Sequence, residues 1–282
     1  MLKAIGQNYT GIRGHQQMLD VTAHNISNVN TVGFKQKQVS FQELTYRYIA
    51  ERRLPWAGNP PVAPQSGRGT AVFSTTRLMA QGNPMDTGRS LDVAILGDGF
   101  FRVIMPDGSF AYTRDGGFLL DDDGNLILSG GIRLDPELRL AELGSEINWN
   151  SLKISQDGTI LVYPIDETNS GKDMSGDDGD ALSGGAILLG QIMLYRFINP
   201  ESLDHIGGNF LVPSAASGPP VASTPGKGGA GLLEEGYLER SNVDLAEQMT
   251  NLIRGQRALQ SSSRALVTAD ELWGLTISII QG

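Results

Sequence analysis

The chain has 282 residues, enough for one large or two modest domains with a real core. Glycine occurs 36 times and cysteine never, which suggests many turns and excludes disulfides, thiolate metal sites and a cysteine nucleophile. The net charge of −9 arises in the middle, which carries −11 against +3 for residues 1–50 and −1 for residues 241–282, and this argues against nucleic acid or an anionic membrane as partner.

Residues Met1 to Asn8 contain no apolar h-region and no small-residue cleavage site, so any export is expected to proceed without a cleaved Sec signal. No apolar run approaches the roughly 18 residues of a membrane span, and no membrane insertion is expected. From Leu2 onward, positions recur in steps of three and four: Leu2, Ile5, Tyr9, Ile12, Gln16, Leu19, Ala23 and Ile26. This predicts a helix over 1–30 with a narrow apolar stripe. Residues 31–80 read as an extended connector. Within it, Pro55, Pro60, Pro61 and Pro64 stiffen the stretch 54–64, which also carries Trp56.

The middle, 81–222, is expected to be β-rich. Asp-Gly pairs at Asp98, Asp107, Asp115 and Asp123 separate short apolar runs, a pattern that predicts a β-meander. Further strands are expected at 151–154, 159–164, 187–197 and 209–212. Residues 167–185 are nearly devoid of apolar side chains and read as an acidic exposed loop. A return connector, 223–243, leads to a second helix over 244–282. There Asp244 and Glu247 fit a helix start, and Leu245, Leu252, Leu259, Leu266, Trp273 and Ile280 recur every seven residues. The companion positions are read as Met249, Gln256, Ser263, Asp270 and Ile277, so half of that seam is polar. The final residues also alternate with period two, which leaves a terminal strand open. A helix can bury such a stripe on its own domain's core. Here the stripes lie at both chain ends, are narrow, and are interrupted by Gly6, Gly11, Gly14, Gly255 and Gly274. Each interior glycine costs about 1 kcal/mol relative to alanine, so these helices need each other or neighbouring subunits. The expected class is α+β: terminal helices forming a coiled-coil-like domain, with a mainly antiparallel β central domain.

Candidate chemistry is sparse. His15 and His24 are nine residues apart and do not stack on adjacent helical turns; His205 stands alone. No HExxH, Walker, dinucleotide or nucleophile-elbow motif is present. Asp121, Asp123 and Asn125 match the first EF-hand positions, but Leu126 occupies the required glycine. No catalytic residue, metal or cofactor is therefore expected.

Three segments resemble one family. His24-Asn25-Ile26-Ser27-Asn28-Val29-Asn30-Thr31-Val32-Gly33-Phe34-Lys35 resembles the segment after the first helix of bacterial flagellar rod and hook proteins. His24, Ser27 and Val32 depart from that pattern. Asp92 to Phe101, with Tyr112-Thr113-Arg114-Asp115-Gly116, is similar to the start of the family's β-domain. Gly236 to Asp244 is similar to its lead into the last helix, with Asn242 inside it. Within the family the likeness is to the distal rod branch, and the long acidic loop keeps a proximal rod or hook paralogue open. The resemblance implies a structural subunit rather than an enzyme, exported by the flagellar type III apparatus. It implies a helical homopolymer crossing the periplasm, in contact with other rod proteins, the hook and the surrounding rings. The residues expected to carry the subunit interface are Leu2, Ile5, Ile12, Leu19, Ile26, Leu245, Leu252, Leu259 and Leu266, with Trp56 as an anchor on a proline-stiffened strut. Asn25, Asn28, Asn30 and Gly33, beside Phe34, are expected to end the first helix by tolerating left-handed φ. The rival class is an exported glycan-binding or wall-hydrolysing β protein, which would require a cleft with converging carboxylates.

Overall fold

The computed structural model describes residues 2–44, 47–48, 65–66, 69–122, 124–136, 152–162 and 187–281. The proline-rich stretch 54–64 with Trp56, and the acidic loop 167–185, lie outside the described residues. The chain forms two compact units: residues 1–28, 36–78 and 243–282 make one, and residues 29–35 and 79–242 the other.

The first unit consists of helix α1 (Leu2–Ser27), strands β1 (Lys37–Glu43), β2 (Arg47–Tyr48), β3 (Gln65–Ser66) and β4 (Thr70–Arg77), and helix α2 (Leu245–Gln281). Residues 36–78, within the stretch 31–80 expected as an extended connector, thus contribute antiparallel pairs: β1 with β4, from Lys37 opposite Arg77 to Glu43 opposite Thr70, and β2 with β3. A register shift at Ser40/Phe41 leaves Phe73 unpaired and outward. Helix α2 starts as its sequence indicates. The Asp244 carboxylate accepts from the backbone N–H of Ala246 at 2.8 Å and of Glu247 at 3.2 Å. It continues to Gln281, so the period-two alternation near the end is not a strand.

The second unit contains β5 (Pro84–Asp86), β6 (Val93–Leu96), β7 (Phe101–Ile104), β8 (Phe110–Thr113), β9 (Leu119–Leu120), β10 (Leu126–Leu128), β11 (Ile132–Leu134), β12 (Lys153–Ile154), β13 (Thr159–Val162), β14 (Ile187–Gln191), β15 (Leu194–Arg196), β16 (Asp204–Gly207), β17 (Phe210–Val212), β18 (Val221–Ser223), β19 (Leu232–Glu235) and β20 (Tyr237–Glu239). With every described ladder antiparallel, the class is α+β. The main sheet has seven strands in the order β16-β17-β8-β7-β11-β10-β9.

The expected meander is interrupted, because β17 rather than β9 lies beside β8, and β11 joins the sheet on the other side of β7. The reason is visible in the Asp-Gly pairs. Asp107-Gly108 turns the β7–β8 hairpin, its carboxylate accepting from the Ser109 N–H at 2.9 Å. Gly116 instead packs against β6, where a Cβ would stand 1.8 Å from the Val93 carbonyl oxygen. The run 187–197, read as one strand, divides at buried Ile192, whose N–H is held by the Gly158 carbonyl at 2.8 Å.

Alternation along the strands fills two clusters. Val93, Ile95, Phe101, Val103, Phe118, Leu126, Leu128 and Ile160 belong to the main core, with Phe101 and Phe118 edge to face at 5.2 Å. Phe100, the next residue from Phe101, joins Tyr112, Tyr195 and Phe197 in a second aromatic cluster. Each large apolar side chain so buried contributes about 1.5–3 kcal/mol.

Candidate assembly surfaces and a buried ionic junction

In the first unit, α1 and α2 pack along each other. Of the apolar line on α1, Ile12, Leu19 and Ile26 are half-buried. Leu2 and Ile5 lie in the first turns of the same helix. On α2, Leu252, Leu259 and Leu266 are half-buried, whereas Leu245 is exposed. The companion line is corrected. Tyr9, Gln16 and Ala23 are exposed, while Asn8, His15 and Thr22 are turned inward. Likewise Met249, Gln256, Ser263, Asp270 and Ile277 are exposed, and Gln248, Gly255, Ser262 and Ala269 are the covered positions. The inner companions are thus three residues ahead of each apolar residue rather than four, and on α2 most are small. Two of the glycines that weaken the helices also permit close approach. A Cβ on Gly255 would stand 2.8 Å from Leu19 Cδ2, and one on Gly14 would stand 3.0 Å from Phe41 Cε1.

A polar pin crosses the same unit. Asn25 is buried inside α1 and treats Lys37 as a strand partner. Its Oδ1 accepts from the Lys37 N–H at 2.9 Å, and its Nδ2 donates to the Lys37 carbonyl at 2.8 Å and to Gln248 Oε1 at 3.2 Å. Asn25 therefore does not end the helix by left-handed φ. Asn28 helps to end it through its side chain, which donates to the His24 carbonyl at 2.8 Å, and Asn30 is exposed. Of the four residues expected to turn left-handed, Gly33 alone does so, at φ +66°.

Gly33 belongs to the second unit and leads into its least expected feature. The Lys35 ammonium lies 2.5 Å from Glu239 Oε1 and donates to the Ala80 carbonyl at 2.8 Å. Arg114 donates to Glu239 Oε2 at 3.3 Å, and the Gly82 N–H to Oε1 at 2.7 Å. All three charged side chains are at most 5% exposed. Burial pushes the ammonium and the guanidinium below their usual ranges, and Glu239 opposes that push in both. The Gly33 N–H donates to the Glu239 carbonyl at 2.8 Å, Phe34 is buried beside it in sequence, and Asn242 Nδ2 donates to the Ala80 carbonyl at 3.0 Å. A Cβ on Gly33 would meet the Arg114 carbonyl carbon at 3.0 Å.

Each charged member of this junction comes from a different one of the three segments singled out in the sequence. Nothing in the spacing of Lys35, Arg114 and Glu239 announces that they meet. Among the described residues no group of three His, Asp or Glu is placed to hold a metal. No described helix is long and apolar enough to cross a membrane.

Helices at the two ends of the sequence, an antiparallel β unit between them in the chain, and the three segments joined at the ionic junction are the features of a flagellar axial protein. Three family descriptions match in chain order: "Flagella basal body rod protein" over residues 14–35, "Flagellar hook protein FlgE/F/G D1 domain" over 94–162, and "Flagellar basal body rod FlgEFG protein C-terminal" over 234–279. The chain is 38% identical to the flagellar basal-body rod protein FlgG of Borreliella burgdorferi, covering 98% of this chain and 97% of that one. It is 35% identical to FlgG of Bacillus subtilis over 96% and 97% of the two chains. The flagellar hook protein FlgE of Helicobacter pylori is 38% identical over 59% of this chain but only 24% of its own length. The chain belongs to the family of flagellar basal-body rod proteins.

Proposed function

We propose that this structural rod subunit polymerises through its terminal helices into the distal part of the rod, a helical tube that carries motor torque across the periplasm. The carrying observation is the apolar surface left over on α2 once α1 is packed. Met249 is 51%, Ile253 50%, Val267 58% and Ile279 78% exposed, on helix sides away from the α1 contact. Such a row on one helix marks a docking surface rather than scattered exposure. Contacts between different faces of identical chains are heterologous and propagate as filaments.

The reading extends to partners. Other rod proteins, the hook and the surrounding rings adjoin the polymer, and the type III apparatus exports the chain without signal cleavage. Leu2, Ile5 and Leu245 are assigned to intersubunit contact. Residues 54–64, with Trp56 as anchor, are assigned to a strut between neighbours, since four prolines reduce the entropy lost on docking. The role is structural rather than enzymatic, and no cofactor takes part.

The test is assembly of purified full-length chain, followed by sedimentation and electron microscopy. Tubes should form above a critical concentration, and Ile253→Asp should abolish them while leaving the circular dichroism unchanged. Tubes from Ile253→Asp indistinguishable from the parent's would overturn the helical interface.

A further inference from the structure

We infer that the cations Lys37 and Arg77 form a socket for carboxylates of a second copy of this chain, and that the carboxylates are Asp270 and Glu271 on α2. The inference rests on the polymerisation reading and specifies one contact within it.

The geometry is that of like charges held together. Lys37 and Arg77 are direct cross-strand partners on β1 and β4, an arrangement that is destabilising when nothing stands between them. His24, in the last turn of α1, is close enough that both cations push its imidazole below the usual range, after burial as the leading cause. Burial and Arg77 together lower the Lys37 ammonium, and burial lowers the Arg77 guanidinium. Among the described residues, none of the salt bridges involves Lys37 or Arg77.

Two nearby features offer partial compensation. The C-terminal end of α1 presents roughly half a negative charge, which answers one of the two cations in part and leaves the other. Glu247 lines the same cleft as Lys37, with Thr22, Val39 and Leu78, yet makes no salt bridge there. The isolated subunit therefore holds a half-buried positive site, and Phe41 and Phe73 are exposed further along the same two strands.

The complementary surface is on the same molecule, too far along α2 to be its own local partner. Beyond Glu247, Asp270 and Glu271 are the only acids of the last helix. Both are exposed, adjacent in sequence, and without an ion pair among the described residues. Val267, Leu272 and Leu275 flank them and are exposed as well. An exposed acidic pair matches a cationic pair without a salt bridge among the described residues, each on an element that also exposes apolar side chains. A socket and plug on different faces give a heterologous contact, as a filament requires. Charge complementarity of this kind fixes register more than it adds affinity.

The test is assembly of full-length chain, read as critical concentration by sedimentation across a salt series. The parent should polymerise less readily as salt rises from 50 to 500 mM, because exposed charge pairs are screened. Asp270→Lys/Glu271→Lys, at exposed helix sites where folding is not at risk, should raise the critical concentration about ten-fold. Lys37→Glu/Arg77→Glu should do the same, and combining the two pairs should restore assembly. Arg77→Gln provides a milder check, with circular dichroism confirming the fold. If both single-sided variants assemble like the parent, or the combined variant is no better than either, the socket is wrong while the polymer reading stands. If the parent itself forms no tubes, both fall.

Discussion

Leu19 of α1 lies directly over Gly255 of α2, so that a Cβ at residue 255 would stand 2.8 Å from the leucine Cδ2 and 3.2 Å from its Cγ. The two helices approach at a point where α2 presents no side chain. Leu19 fills the space, and Ile12, Leu19 and Ile26 of α1 and Leu252, Leu259 and Leu266 of α2 are half-buried within the chain.

That contact separates two kinds of helix glycine. Gly274 has nothing within 4 Å of a Cβ, so Gly274→Ala should gain about 1 kcal/mol of helix stability. Gly255→Leu must displace Leu19, and overpacking of this kind costs about 1–3 kcal/mol. Thermal melts followed at 222 nm should move up for the first and down for the second.

Glu239→Gln should destabilise the β unit by about 3–5 kcal/mol, since Lys35 and Arg114 would be left buried without their carboxylate. In a unit of this size that is a fall of roughly 10 °C in midpoint. Glu201→Gln, on the exposed 3-10 turn Pro200–Ser202, should shift it by no more than about 0.5 kcal/mol. Equal melting of the two variants would show that the junction contributes little.

Acid should loosen two hairpins. Asp107 and Asp157 each accept from the N–H two residues on, and hydrogen bonds from Ser109 and Thr159 hold their carboxyls below the ordinary 3.8. A carboxylate whose folded pKa is depressed contributes stability that is present above its unfolded pKa and is lost as pH falls through the folded one. The loss therefore begins near pH 4 and continues below it. Carbon-detected NMR titration should place both carboxyls below 3.8, and Asp157→Ala should flatten the stability profile in that range.

The Asp-Gly pairs, the Asp244 cap and the alternating apolar runs are local, and local physics sufficed to place β7, β8, β10 and the start of α2. The order β7-β11 was not legible, because Gly116 looks like a turn residue in sequence and acts as a packing residue against Val93. The ionic junction joins Lys35, Arg114 and Glu239 across more than 200 residues, a distance over which one sequence carries no pairing signal. The helical stripes were legible as stripes. Which companion line turned inward was not, since Gly255 and Ser262 carry no hydropathy signal and their burial follows from shape.

Neighbouring positions on α2 should now answer differently. Leu252 is half-buried on the side of α2 that faces α1, and Ile253, one residue on, is turned away at 50% exposure. Successive helix residues differ by about 100° in direction, so the same substitution probes two surfaces. Leu252→Asp places a carboxylate where apolar area is removed from water within the chain, at a cost of several kcal/mol if it stays charged there. It should lower the melting of α1 and α2 in dilute monomer and lose assembly as a consequence. Ile253→Asp should leave monomer melting within about 0.5 kcal/mol and lose assembly alone. Monomer melts at low concentration, set beside sedimentation at high concentration, resolve the two effects. If both variants melt like the parent, α1 does not cover Leu252 in the free subunit, and the heptad line belongs wholly to contacts between subunits.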